Sequence, residues 1–187
     1  MCNMALTKTP LCEFGKKADF FKLKSTENKT VDLDAIKGTN GFLLMFICNH
    51  CPYVVATIKE IVETTKELKK YKINSLAIMS NDTNNYLEDS FDNMILFAKK
   101  YNFDFPYVFD EDQSIAKKYG AVCTPDFFGY NKDLELQYRG RIREFNNLKP
   151  IPKSSNELLT SMVQIAETGI GPKIQKPSMG CSIKWFK

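Results

Sequence analysis

Gly41-Phe-Leu-Leu-Met-Phe-Ile-Cys-Asn-His-Cys-Pro-Tyr-Val54 decides the reading of this chain. Asn40-Gly41 is a turn signal. Phe42 to Ile47 are apolar without interruption, the pattern of a central strand buried on both faces. Beyond Cys48, Val54, Ile58, Ile61 and Leu68 recur at helical spacing with Lys and Glu opposite, which predicts an amphipathic helix. Pro52 suits its first turn, where no backbone donor is needed. A Cys-x-x-Cys therefore sits where a buried strand hands over to a helix N-terminus. Unpaired N–H groups and partial positive charge there favour a thiolate at Cys48. Cys51, about one turn on, is near enough to close a disulfide. In this logic Cys48 attacks a substrate disulfide and Cys51 releases the mixed disulfide. His50, the only histidine in the chain, would stabilise the thiolate further and shift the pair toward the oxidising side. The plainer alternative is an exposed loop histidine without a role.

Working outward, Phe20 to Lys24 and Thr30 to Leu33 read as two short strands around a polar turn. Ser75 to Ser80 and Tyr107 to Phe109 read as further strands. Ser90 is placed to cap a helix carrying Met94, Phe97, Ala98 and Tyr101 on one side. Glu111 to Tyr119 reads as a short helix closed by Gly120. Asp126 to Tyr130 and Leu134 to Arg139 form a hairpin, with Leu134, Leu136 and Tyr138 on its buried face and Glu135, Gln137 and Arg139 opposite. Ser154 and Glu157 have capping-box spacing before a helix carrying Leu158, Met162 and Ile165 and ended by Gly169. The order β-β-β-α-β-α-β-α-β-β-α makes an α/β sandwich with a mixed central sheet. Residues 1–18 read as a loosely ordered leader, 19–169 as the domain, and 170–187 as a tail rich in Lys, Pro and Gly.

The 187 residues suit one domain. At 43% hydrophobic and 26% charged, the chain has the composition of a globular protein, not of collagen, a coiled coil or a disordered chain. The 26 basic residues are nearly balanced by 22 acidic ones, which argues against nucleic-acid binding. There is no apolar run of membrane-spanning length and no secretory pattern at the N-terminus, so the expectation is a cytoplasmic protein with reduced thiols.

Cys123-Thr124-Pro125 falls at the start of the strand after the third helix. A cis Thr124-Pro125 bond would expose backbone able to pair with an extended substrate, whereas a trans proline at a strand edge would not; the residues leave both open. With this loop in place, the chain resembles the thioredoxin fold, and more closely the peroxiredoxin-like branch of the alkyl hydroperoxide reductase/thiol-specific antioxidant superfamily. The resemblance is carried by Gly41 to Val54, by Tyr119-Gly-Ala-Val-Cys-Thr-Pro-Asp-Phe-Phe128, by Tyr138-Arg-Gly140, and by the tail Lys176-Pro-Ser-Met-Gly-Cys-Ser-Ile-Lys-Trp185. It implies a thioredoxin-like three-layer α/β sandwich, here with an N-terminal β-hairpin extension and a C-terminal tail. By the same resemblance Cys48 matches the nucleophile, Cys51 the resolving cysteine, Pro125 the cis-proline and Thr124 the residue before it. The chain departs from the pattern in two places. The strand Phe42 to Ile47 holds no carboxylate where thioredoxin has a buried aspartate. Against the peroxiredoxin Pro-x-x-x-Thr-x-x-Cys, aligning Cys51 puts Cys48 at the Thr position and Leu44 at the Pro position, which removes the hydroxyl that orients peroxide.

Of the other cysteines, Cys123 reads as a buried apolar side chain or a third redox thiol, Cys181 as a tail thiol without a partner or, with the tail folded back over the core, a resolving one, and Cys2 and Cys12 as incidental. Arg139, Arg141 and Arg143 read as a solvated strand edge, and Lys66 to Lys72 as a solvated helix end. The function expected is a thiol–disulfide oxidoreductase on the Cys48–Cys51 couple, with protein dithiols, disulfides or small thiols as partners and no cofactor. Hydroperoxide reduction is the alternative. A metal site on Cys48, Cys51 and Cys123, or a redox-inert binding domain, are the further ones.

Overall fold

A computed structural model describes residues 6–10 and 13–187; Cys2 and Cys12 lie outside the described residues. In chain order the elements are β1 (Leu6–Lys8), β2 (Lys22–Ser25), β3 (Thr30–Asp32), α1 (Leu33–Ile36), β4 (Gly41–Phe46), α2 (Pro52–Lys70), β5 (Ile73–Met79), α3 (Phe91–Lys100), β6 (Tyr107–Phe109), α4 (Ser114–Tyr119), β7 (Cys123–Thr124), β8 (Asp126–Asn131), β9 (Leu136–Gly140), β10 (Phe145–Asn146), β11 (Lys149–Pro150), α5 (Glu157–Thr168) and β12 (Met179–Ser182). Seven strands form one mixed sheet in the order β3-β2-β6-β5-β4-β8-β9. A second sheet joins β1, β12 and β7. This is the thioredoxin-like α/β sandwich that the resemblance implies.

β4 is central, parallel to β5 and antiparallel to β8. Its six residues are all buried, which explains why it shows no polar alternation: helices cover both faces. Leu43, Met45 and Ile47 face one core with Val54, Ile58 and Ile61 of α2 and Met162 and Ile165 of α5. Phe42, Leu44 and Phe46 face the other, with Ile115, Ala116 and Tyr119 of α4 and Phe128. The period-two alternation of the strand thus feeds two cores at once. With β4 fixed on both sides, Cys48 just beyond its end is fixed too.

Several local expectations shift. The strand expected over Thr30 to Leu33 ends at Asp32, whose side chain accepts the Ala35 N–H and opens the single-turn α1. The short helix starts at Ser114, not Glu111, because Asp112 turns back to accept the Ser114 N–H and Gln113 takes a left-handed conformation. The capping box is overturned. Asn156 is the N-cap of α5, accepting from Leu159 N–H at 2.8 Å, and Ser154 Oγ donates instead to the Ile151 carbonyl. Glu157 is engaged by Arg141 at 2.7 Å. Leu6–Lys8 and Met179–Ser182, in stretches without a strand pattern of their own, pair with each other, and Met179–Ser182 also pairs with β7.

The solvated arginine edge is a second correction. Arg139 is buried and bonded to the fully buried Asp126 at 2.9 Å, donates to the Gly120 carbonyl at 2.7 Å, and stacks over the Phe128 ring. Arg143 pairs with Glu60 at 2.6 Å. Leu134 is not on the strand; it sits in the turn with positive φ, and β9 begins at Leu136. Burial raises the Asp126 carboxyl to about 6 despite the opposing pull of Arg139. The folded form therefore keeps a proton that an unfolded aspartate, with pKa about 3.9, gives up. This contribution to stability declines as pH rises from about 4 to about 6. Arg139→Met should cost about 3–5 kcal/mol near neutral pH, because it strands a buried carboxylate. The deficit should shrink near pH 5, where Asp126 can be neutral. Denaturant midpoints at the two pH values check this; an equal deficit at both would contradict the buried-charge account.

Candidate active site

The site forms where β4 meets α2. Cys48 follows the last residues of β4, and Cys51 is the N-cap residue of α2 with Pro52 opening the helix. In both sulfur residues no more than 1% of the surface is exposed. Across from them, Thr124-Pro125 is a cis peptide bond between β7 and β8. Cys48 Sγ and Thr124 Oγ1 are 3.2 Å apart. Cys51 Sγ lies 3.2 Å from the Thr124 carbonyl oxygen and 2.9 Å from Cys181 Sγ. The structure thus brings Cys48, Cys51, Thr124 and Pro125 together, as the sequence pattern anticipates. It adds Cys181, which the tail delivers from 130 residues away.

The protons divide unevenly between the pair. Burial pushes the Cys48 thiol well above its ordinary range, assisted by its hydrogen bond to Cys51 and by the Asp89 charge, while Thr124 pulls the other way. Cys51 moves down: hydrogen bonds from the Cys181 and Cys48 thiols outweigh burial, and the backbone N–H groups of Val54 and Cys181 add to them. A thiol at Cys51 could donate to one carbonyl, but a thiolate there accepts from several donors at a helix N-terminus. The surroundings therefore favour charge on Cys51 over charge on Cys48. The expectation drawn from helix position alone weighs the dipole but not the burial of Cys48.

Asp89 is the functional residue that sequence reasoning missed. It is fully buried and accepts from Asn49 N–H at 2.8 Å and Asn81 Nδ2 at 2.7 Å. Its carboxylate lies 2.8 Å from His50 Nδ1. His50 is therefore not an unattached loop side chain: it is held by Asp89 and stacked on Tyr86 at 5.7 Å with the rings 8° from parallel. The Asp89 contact raises the His50 pKa, against the effect of burial. Tyr107 Oη donates to Asn49 Oδ1 at 3.1 Å and fixes the turn between the cysteines. Asp89 stands one residue before the Ser90 cap, so its acidic side chain reads locally as helix-terminus decoration; only the fold carries it to the Cys-x-x-Cys turn.

Cys123 does not join the sulfur cluster. Its thiol faces the Pro125 carbonyl at 3.8 Å, and burial raises its pKa above the ordinary range. The metal set expected from Cys48, Cys51 and Cys123 is therefore not assembled. Among the described residues, the potential ligands that cluster are instead Cys48, His50 and Asp89, within 4.8 Å of one another. Beside Pro125 a cavity of about 300 Å³ opens, with Tyr53, Phe127 and Phe145 as apolar walls and Lys8 and Lys176 at its rim. Among the described residues, no helix is long and apolar enough to cross a membrane.

Two cysteines at a strand-to-helix turn, facing a cis-proline loop in a mixed α/β sandwich, define a thioredoxin-fold thiol protein. The chain belongs to the AhpC/TSA family, whose model matches residues 14–145. It is 30% identical over 130 residues to the thiol-disulfide oxidoreductase ResA of Bacillus thuringiensis subsp. konkukian, covering 68% of this chain and 69% of that protein. It is 26% identical over 117 residues to the putative peroxiredoxin bcp of Coxiella burnetii, covering 63% of this chain and 72% of the relative. Among solved structures, an uncharacterized conserved protein from Geobacillus kaustophilus matches with a TM-score of 0.93 at 36% identity, over 98% of each chain. That match includes the tail, which lies beyond the family model.

With one histidine in the chain, its titration can be followed without ambiguity. The imidazole should titrate above its ordinary value of about 6.5 in the wild-type protein. Its charged form then contributes stability that is fully present below about pH 6.5 and is lost as pH rises through the folded value. Asp89→Asn should lower the titration, because the largest contribution opposing burial is lost and only the charges of Cys51 and Glu88 remain against it. Proton NMR of the imidazole checks this; an unchanged titration in the variant would show that Asp89 does not hold the charge.

Proposed function

We propose that the protein is a thiol–disulfide oxidoreductase working through the Cys48–Cys51 couple, with Cys51 as the resting thiolate. The observation that carries this reading is the junction of the two sulfurs at the α2 N-terminus, 3.2 Å from the hydroxyl and the carbonyl of the residue before a cis-proline. The relative named thiol-disulfide oxidoreductase supports the same chemistry.

Cys51 attacks one sulfur of a substrate disulfide, and the other substrate sulfur leaves as a thiolate. Cys48 then surrenders its proton and attacks Cys51 Sγ, expelling the second substrate thiolate. Two substrate thiols appear, one with the Cys48 proton and one with a proton from solvent, and the Cys48–Cys51 disulfide is formed. Pro125 and Thr124 shape the wall beside which the substrate backbone lies. His50 keeps positive charge at the turn between the cysteines, and Asp89 holds His50 in place. The substrates of this reading are protein disulfides or small-molecule disulfides, and the reaction runs in reverse when the couple is oxidised.

Hydroperoxide reduction is a second reading, favoured by Cys51-Pro52 at the N-terminus of α2 and by the peroxiredoxin-named relative. It lacks one part: the position that supplies a hydroxyl in the peroxiredoxin pattern is Cys48.

Incubation of the full chain in glutathione buffers, with alkylation and peptide mass mapping, tests the first reading. It should show a reversible two-electron couple that includes Cys51, and Cys51→Ser should reduce turnover of a model protein disulfide to that of the thiol buffer alone. A chain whose cysteines stay reduced throughout would overturn the assignment. Stopped-flow mixing with hydroperoxide separates the readings: thiol loss no faster than that of free cysteine is the expected result, and loss orders of magnitude faster would make the peroxidase reading primary.

A further inference from the structure

We propose that Cys181 is a third redox thiol of this centre, and that the disulfide carried by Cys51 exchanges between Cys48 and Cys181. The inference rests on the dithiol reading above and extends it to the tail.

The contact is close. Cys181 Sγ lies 2.9 Å from Cys51 Sγ, inside the about 3.5–4.0 Å at which even carbon atoms pack and outside the about 2.05 Å of a formed disulfide. Cys181 is also buried, so its thiol has exchanged water for the sulfur of Cys51. A strand register sets the position: β12 runs antiparallel to β7 with Cys181 opposite Thr124 and Ser182 opposite Cys123. β7 leads into the cis-proline, so the tail lies along the backbone edge that an extended substrate would use. The protein's own cysteine occupies the place of a substrate cysteine.

The seat is built for this strand. A Cβ on Gly180 would fall 2.0 Å from the Thr124 carbonyl oxygen, so only glycine permits the approach. Ser178 Oγ donates to the Pro125 carbonyl at 2.7 Å. On the other side of the site, Lys184 N–H donates to Asn81 Oδ1 at 2.9 Å, and Asn81 in turn donates to Asp89. The tail is thus tied at both ends to groups that also organise the cysteines.

The exchange balances without an added oxidant. When Cys48–Cys51 is oxidised, Cys181 loses its proton and attacks Cys51 Sγ. The bond to Cys48 breaks, Cys48 leaves with the electron pair and takes up a proton, and the Cys51–Cys181 disulfide replaces the first. The oxidation level is unchanged. When the site is reduced, Cys51 attacks a substrate disulfide and one substrate thiolate leaves; Cys181 then displaces the second. The substrate gains two electrons and the two cysteines lose two. The Cys51–Cys181 product fastens β12 over the site, whereas the Cys48–Cys51 product leaves the tail attached by backbone and side-chain hydrogen bonds alone.

Trypsin provides the readout. Cys48 and Cys51 fall on one peptide between Lys37 and Lys59, and Cys181 falls on another between Lys173 and Lys184. A Cys48–Cys51 disulfide therefore stays within one peptide, and Cys51–Cys181 joins two. The full chain is incubated to constancy with oxidised glutathione and alkylated. In Cys48→Ser the joined peptides should form with release of glutathione, whereas Cys48→Ser/Cys181→Ser should stop at a glutathione adduct on Cys51. Gly180→Ala keeps every thiol; it should lose the joined peptides and still form Cys48–Cys51. A stable glutathione adduct in Cys48→Ser, with Cys181 fully alkylated and wild type forming only Cys48–Cys51, would overturn the role of Cys181 and leave the dithiol reading standing. Wild type that forms neither disulfide would overturn both.

Discussion

The sulfur of Cys51 sits at the N-terminus of α2, 2.9 Å from Cys181 Sγ and 3.2 Å from the Thr124 carbonyl oxygen, and hydrogen-bond donors around it favour its charged form. Much of the rest of the molecule serves to hold those donors in place. β4, buried on both faces, fixes the approach to Cys48; α2, packed through Val54, Ile58 and Ile61, fixes Cys51; and β7, β12 and the cis-proline loop close the third side. A negative charge out of contact with water is tolerated only where such donors are already pointed at it. The same burial disfavours charge on Cys48. One environment thus shifts two chemically identical thiols in opposite directions.

The network around His50 adds a second layer. Asp89 takes hydrogen bonds from the backbone of Asn49 and the side chain of Asn81, which leaves its charge directed at His50. The carboxylate disfavours charge on Cys48, while the imidazolium it stabilises brings positive charge to the turn between the cysteines. Asn81 also receives the tail backbone at Lys184. The acid, the histidine, the cysteine turn and the tail therefore form one connected polar network.

How much of this was legible in the sequence depends on separation along the chain. The β4–Cys-x-x-Cys–α2 unit is local: an uninterrupted apolar run, two cysteines, a proline and a helical stripe all fall within about thirty residues, and periodicity reports them. Thr124-Pro125 could be flagged by type and position, although its isomer could not. Asp89 was beyond such reading, and Cys181 could be noted in the tail without its partner being identified. Asp89 is 40 residues from its Asn49 partner and Cys181 is 130 from Cys51, and neither sits in a pattern that periodicity detects. Gly180 looked like loop composition until the Thr124 carbonyl was placed against it. The arginines misled for a related reason. Alternation marks which face of β9 a residue occupies, but not that the outer face at Arg139 is covered and supplied with the buried carboxylate of Asp126.

The central claim is that the reduced site holds its charge on Cys51. The most direct measurement is the ultraviolet thiolate absorbance of the reduced full-length protein, followed from neutral into acidic pH and compared with Cys51→Ser. One thiolate should persist in the wild-type protein well below the ordinary cysteine range of about 8.5 and be absent from the variant. If the first thiolate instead forms only near the ordinary range, or survives unchanged in Cys51→Ser, the charge does not rest on Cys51 and this account of the site is wrong.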